Sequence, residues 1–159
     1  MTTPAAANLI YGYYLGVPKS TGFDGVQEAD EYGNLNTDWF LGADSCDAYD
    51  LSVAMHEALL AQSGMTGKEW DALEDETWVD ELVKRTGVRI LLLGYAGIPQ
   101  IYLVTDADWV RGEVGMIPGN LQSLYPSPGG EAKLRSALRK LHITPKARHP
   151  RWMLVPYVN

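Results

Sequence analysis

The sequence predicts an α+β fold. It reads as one domain over residues 1–159, with a largely antiparallel sheet of four to five strands and about three helices packed mainly on one face. Three observations carry this. Val88 to Thr105 holds two apolar runs, V-R-I-L-L-L-G-Y and Q-I-Y-L-V-T, around A-G-I-P. Runs of that length bounded by turn residues read as strands, and so short a connection favours antiparallel pairing. The helical patterns are bunched, two before this hairpin and one after it, so the regular alternation of a parallel α/β sheet is missing. Aromatic, strand-like runs lie near both ends, at Leu9–Val17 and Trp152–Val158.

Taken in order, residues 1–7 read as a loose leader. In the strand Leu9–Val17, Tyr11 and Tyr13 share one face and Tyr14 the other, and Gly12 and Gly16 mark a bulge or a close backbone approach. Residues 19–44 read as a long acidic loop, with Asp24, Glu28, Asp30 and Glu31, that Trp39 and Phe40 pin to the body. Leu51, Met55, Ala58 and Leu59 recur at helical spacing over 47–62, with Asp44, Ser45 and Asp47 as cap residues. A second helix over 66–85 opens with the capping-box pattern Thr66–Glu69 and closes at Gly87. The hairpin 88–105 is the most hydrophobic part of the chain and is expected at the centre of the sheet. Beyond it, Asp106–Gly112 turns away, and Val110–Ile117 reads as a short edge strand. Pro118–Gly130 reads as loop. Leu134, Leu138 and Leu141 give the third helix, over 131–142, its core face. Pro156 places the final strand at an edge.

The composition is that of an ordinary globular protein, 46% hydrophobic and 21% charged. No apolar run approaches the ~20 residues that span a bilayer, so a membrane is not an expected partner. A single cysteine, Cys46, excludes an intrachain disulfide, and the N-terminus lacks the basic start of a secretory signal, so a cytoplasmic location is expected. The net charge of −7 conceals an asymmetry: residues 1–83 carry sixteen acids against Lys19 and Lys68, while residues 84–159 carry eleven Lys/Arg against four acids. Either the two halves neutralise each other within the fold, or each presents a charged surface to a partner.

Catalytic motifs are sparse. His56-Glu57 lacks the second histidine of a zincin, and the acids of 24–31 lack the calcium-loop spacing. Asp106 and Asp108 follow a hydrophobic strand, on alternate residues, as in metal-binding D-x-D motifs of phosphotransferases and glycosyltransferases. Trp109-Val110 replaces the Gly-Thr of the former, and a turn-forming pair is the favoured reading. The alternative is a small metal-dependent enzyme or ligand-binding domain, with Asp44 or Asp47 as a third acid. No cofactor is implied.

Three blocks, Tyr11-Gly12-Tyr13, Tyr95–Val104 and Pro150–Tyr157 with the amphipathic helix before it, resemble a group of small bacteriophage-encoded proteins without a characterised activity. The resemblance covers about a third of the chain and implies a phage accessory origin; the group's last strand ends in Tyr-Trp where this chain has Tyr157-Val158. The expected function is therefore non-catalytic binding of a host or phage macromolecule, for instance as an inhibitor. The candidate binding residues are Asp24, Glu28, Asp30, Glu31, Trp39, Arg135, Arg139 and Lys140. A protein is the favoured partner. Nucleic acid ranks behind it, because the acidic half would repel phosphates. A two-fold homodimer is a further expectation, with Trp70, Trp78, Trp109 and Trp152 as its apolar anchors.

Overall fold

The computed structural model describes residues 5–19, 22–27, 38–41, 47–74, 77–95, 98–112 and 125–157. It is an α+β fold built on a four-stranded antiparallel sheet. The strands are β1 (Ala5–Gly16), β4 (Arg89–Tyr95), β5 (Ile98–Gly112) and β6 (Arg151–Tyr157), in the order β4-β5-β1-β6. A two-stranded ribbon, β2 (Pro18–Lys19) with β3 (Gly22–Phe23), follows β1. The helices are α1 (Asp38–Leu41), α2 (Ala48–Gln62), α3 (Gly67–Asp71), α4 (Thr77–Thr86) and α5 (Gly130–Leu141).

Alternation along the strands separates two cores. On one side Tyr13, Leu15, Ile90, Ile101 and Leu103 meet Leu51, Met55 and Leu59 of α2, Leu82 of α4, and Leu134, Leu138 and Leu141 of α5. On the other side Ile10, Tyr102, Val104 and Val155 form a smaller core, flanked by Leu91 and Leu93 of β4 and Met153 of β6. No described helix contributes to the second core. It is buried because the sheet coils: the outer strands β4 and β6 come within 8 Å between Cα atoms, although no ladder joins them among the described residues. Register shifts at Tyr11/Gly12 and Tyr14/Gly16 supply the coiling, since a bulge adds local twist. Gly12 is required at the first, because a Cβ there would land on the Leu103 carbonyl oxygen.

Several expectations need correction. Ala5–Ala7 are not a loose leader; they pair with Val110–Gly112 on one side, and Ala6 and Ala7 with Tyr157 and Pro156 on the other. Tyr95 pairs with Ile98, so the hairpin connection is two residues, not four. Pro99 is tolerated in β5 because β1, whose last pair is Gly16 with Ile101, has ended by that level. The hairpin is buried as expected, but only β5 is an inner strand: β4 lies at the edge, and β1 takes the other inner place beside β5. The chain does not turn away at Asp106, because β5 runs on to Gly112 against the full length of β1. Of the edge strand expected at 110–117, residues 113–117 lie outside the described residues.

The expected helix 66–85 is two helices. The Thr66–Glu69 capping box forms as expected, but α3 ends at Asp71, with Ala72 as its C-cap, and α4 starts at Thr77. The break lets Trp70 stack on Trp78, ring centroids 4.8 Å apart and planes 22° from parallel. In one continuous helix these residues would stand ~12 Å apart along the axis. The segment 19–44 is not all loop, since it contains β3 and α1; Glu28, Asp30 and Glu31 lie outside the described residues. The pinning role of Trp39 and Phe40 is as expected. Both rings pack with Phe23, and Trp39 Nε1 donates to the Leu141 carbonyl at 2.7 Å.

Candidate functional site

The charged residues fall into two local groups. On α3 and α4, Arg85 pairs with Glu81 at 2.6 Å and Glu69 at 3.7 Å, and Lys84 reaches Glu81 at 4.0 Å. Arg85 draws the Glu81 carboxyl below its usual range, while hydrogen bonds from Thr66 do the same for Glu69. On α5, Glu131 receives Arg135 at 2.7 Å and lies 3.4 Å from His149 Nδ1. Its carboxyl is lowered, first by Arg135 and then by His149, and Arg135 is raised in turn. Among the described residues, no ion pair joins the acids of α3 and α4 to the bases of α5.

This leaves a basic face. Residues 130–151 hold seven Lys/Arg against one acid, Glu131, and that acid is satisfied by Arg135 and His149. Lys133, Arg139, Lys146 and Arg148 are exposed and Lys140 half-buried, without an ion-pair partner among the described residues. Leu134, Leu138 and Leu141 fix the orientation of α5 by entering the main core, which turns its remaining surface outward. The segment beyond is held just as firmly: Val26 bridges to Pro145, Gln27 N–H donates to Thr144 at 2.7 Å, and Lys146 N–H donates to Gly25 at 2.8 Å. The face is therefore tied to the fold both through α5 and through the segment that follows it.

Two grooves flank it. One, of about 310 Å³, is lined by Arg85, Thr86, Lys133, Ser136 and Lys140. The other, of about 510 Å³, is lined by Trp39, Glu57, Ala58, Gln62, Lys140 and His142. Lys140 belongs to both, and Gln62 Nε2 donates to its carbonyl at 2.6 Å, tying α2 to α5.

Of the residues expected to form a site, Arg135, Arg139 and Lys140 share this face. Trp39 borders the second groove, and its indole also serves as a structural tie. Asp24 is drawn into the fold instead: its carboxylate accepts from Val17 N–H at 2.9 Å and from the Tyr14 hydroxyl at 3.3 Å. The expected dimer anchors Trp70 and Trp78 stack on each other, and Trp152 packs on Tyr11 at 5.4 Å; the side chain of Trp109 lies outside the described residues.

Asp106 and Asp108 do not form a turn. They lie on β5, opposite Tyr11 and Leu9. The Asp106 carboxylate accepts from Thr105 Oγ1 at 2.9 Å, Ser127 N–H at 3.2 Å and Ser127 Oγ at 2.5 Å. Both of its oxygens are thus engaged in holding the chain that enters α5. Asp47, considered as a third acid, caps α2 by accepting from Tyr49 N–H at 2.7 Å, and Asp44 lies outside the described residues. Among the described residues no three His, Cys, Asp or Glu side chains are grouped to hold a metal ion. Nor is any described helix long and apolar enough to cross a membrane.

Lys133 shares the basic outer face that the sequence gives the third helix, with Arg135, Arg139 and Lys140, but is absent from the expected binding residues although it lines the first groove. The signal was present in the seven-residue spacing of Lys133 and Lys140, which places both on one side of a helix. No family model, curated protein or solved structure matches this chain.

Proposed function

We propose that this protein is a non-catalytic binding protein that engages an acidic surface of a protein partner through α5 and the segment leading into β6. The observation that carries this reading is the segregation of charge: among the described residues the ion pairs are local to each group, and none joins the basic face to the acidic helices. Opposed potentials steer encounter and are screened by salt. The acidic helices α3 and α4 favour a protein over a nucleic acid, because they would repel a long phosphate backbone while leaving a compact acidic patch free to dock. The three sequence blocks that resemble small phage proteins support a phage accessory role, with a host or phage protein as the target.

The test is affinity capture from host lysate at low and high salt. The bait is either wild-type protein or a variant carrying Lys133→Glu, Arg139→Glu and Lys140→Glu, all on the outer side of α5. A partner held by the wild type at low salt, and lost both at high salt and on charge reversal, is the expected result. Capture of nothing, or of the same protein equally by both baits, overturns the reading.

A further inference from the structure

The coiled sheet leaves an opening between its outer strands. β4 and β6 approach each other without pairing among the described residues, and a cavity of about 450 Å³ lies beside them. Cavities of ~300–1,000 Å³ are the size of small-molecule sites. The walls are Gly94 of β4, Gln100 and Tyr102 of β5, Tyr14 of β1, and Arg151 and Met153 to Pro156 of β6. Tyr102 and Val155 also belong to the second core, so the cavity has an apolar floor continuous with that core.

The polar groups on the walls are few and already arranged. The Tyr14 hydroxyl donates to Asp24 at 3.3 Å, and the Tyr102 hydroxyl donates to Gln100 Oε1 at 2.9 Å. The two rings brace each other, centroids 5.4 Å apart and planes at 57°. Burial, with the Asp24 charge and hydrogen bond, holds the Tyr14 phenol up to about 12, so it stays neutral near neutral pH. Gln100 Oε1 already accepts from Tyr102, and its amide N–H groups remain as donors. Among the described residues, Arg151 is the one charged residue on the walls; it is exposed and has no ion-pair partner there.

We propose that this cavity binds a small amphipathic anion, its apolar body lying on Tyr14, Tyr102, Met153 and Val155 and its oxyanion head on the Arg151 guanidinium. The apolar walls reward burial of a hydrocarbon body, and a lone cation at the rim selects the sign of the head group. The site is independent of the basic face of α5.

The test uses anilinonaphthalene sulfonate, an apolar body with one sulfonate, in fluorescence titrations of the native protein. Octanoate is the competitor and octanol its neutral control. Saturable binding of one probe per chain, displaced by octanoate and not by octanol, is expected. Arg151→Gln should weaken binding about tenfold, and Arg151→Lys should restore most of it. Pro156→Trp, at the exposed rim, should block entry, while Lys133→Gln with Lys140→Gln should leave the affinity unchanged. Every variant must keep the wild-type near-ultraviolet circular dichroism, so that probe binding to a loosened core is not mistaken for the site. Arg151 and Pro156 are exposed, which keeps their variants folded. Absence of saturable binding, equal displacement by octanol, unchanged affinity in Arg151→Gln, or loss of binding in the Lys133/Lys140 variant would each overturn the proposal.

Discussion

Asp106 on β5 holds Ser127, twenty-one residues further along the chain, by accepting both its hydroxyl at 2.5 Å and its backbone N–H at 3.2 Å. Ser127 in turn accepts from Gly130 N–H at 3.0 Å, at the first residue of α5. One carboxylate thus locks the entry of the basic helix to the sheet. Asp106→Ala should lower stability by about 1–2 kcal/mol, the range for losing hydrogen bonds to a charged group at a partly exposed site. Ser127→Ala removes the hydroxyl half of the same link. Urea unfolding of the two single variants and the double variant should show a double mutant less destabilised than the sum. Strict additivity would mean the two residues do not act as one anchor.

His56 gives the fold a pH dependence. It is buried on α2, with Nδ1 against the Ser52 carbonyl at 2.7 Å and Nε2 without a partner among the described residues. Burial lowers its pKa, opposed weakly by the Ser52 bond. The unfolded chain, at about 6.5, takes up the proton first. The stability tied to neutral His56 is therefore complete above pH ~6.5 and is lost as the pH falls through its lowered folded value. Glu69, Glu81 and Glu131 are also lowered, but their contributions are lost only below the ordinary carboxylate range. Unfolding midpoints between pH 7 and 5 should fall for the wild type and stay flatter for His56→Met; parallel curves would exclude His56 as the cause.

Lys133 lies across Gly87. A Cβ at residue 87 would meet Lys133 Cδ at 2.7 Å, and φ at Gly87 is +74°. Gly87→Ala therefore incurs both a left-handed backbone, ~1–2 kcal/mol, and a clash with the lysine stem. Thermal unfolding should show the larger cost in the wild-type background, and a smaller one when Lys133→Ala has removed the stem. Equal costs in both backgrounds would show that the lysine simply swings clear.

His142 closes α5 with φ +55°, the left-handed position usually given to glycine. Its N–H donates to Arg139 at 3.1 Å, and Ile143 N–H donates to Leu138 at 3.1 Å. His142→Gly should keep this cap while relieving the backbone, raising stability by about 0.5 kcal/mol, the left-handed cost less the entropy glycine loses on folding. A destabilised variant would show that the imidazole contributes more than its backbone conformation costs.

Local features were legible wherever a short pattern controls a short structure. The Thr66–Glu69 capping box, the Asp47 cap of α2, the bulges at Gly12 and Gly16, and the edge position implied by Pro156 all form as read. So did the α+β class and the antiparallel sheet, because periods of two and 3.6 and a short connection suffice to specify them. The basic face could also be read, since Lys133, Arg135, Arg139 and Lys140 alternate with the leucines that turn α5 toward the core.

The remainder depended on what each segment meets in space. Whether Ala5–Ala7 and Asp106–Gly112 are strand or loop was decided by their pairing with each other across β1 and β5, a relation between residues a hundred positions apart that neither segment encodes alone. The break between α3 and α4 is accompanied by the Trp70–Trp78 stack, which helical periodicity cannot show. Asp24, read as a binding residue, and Asp106, read as a turn residue or metal ligand, became anchors, because Tyr14, Val17 and Ser127 brought donors to them. The cavity beside Arg151 exists only because the sheet coils until β4 faces β6. Composition and periodicity determined the fold class and the core face of the amphipathic helices; long-range pairing and sheet coiling, whose energies depend on partners distant in the chain, decided where strands extend, which charged residues were consumed in holding the fold and which were left at its surface.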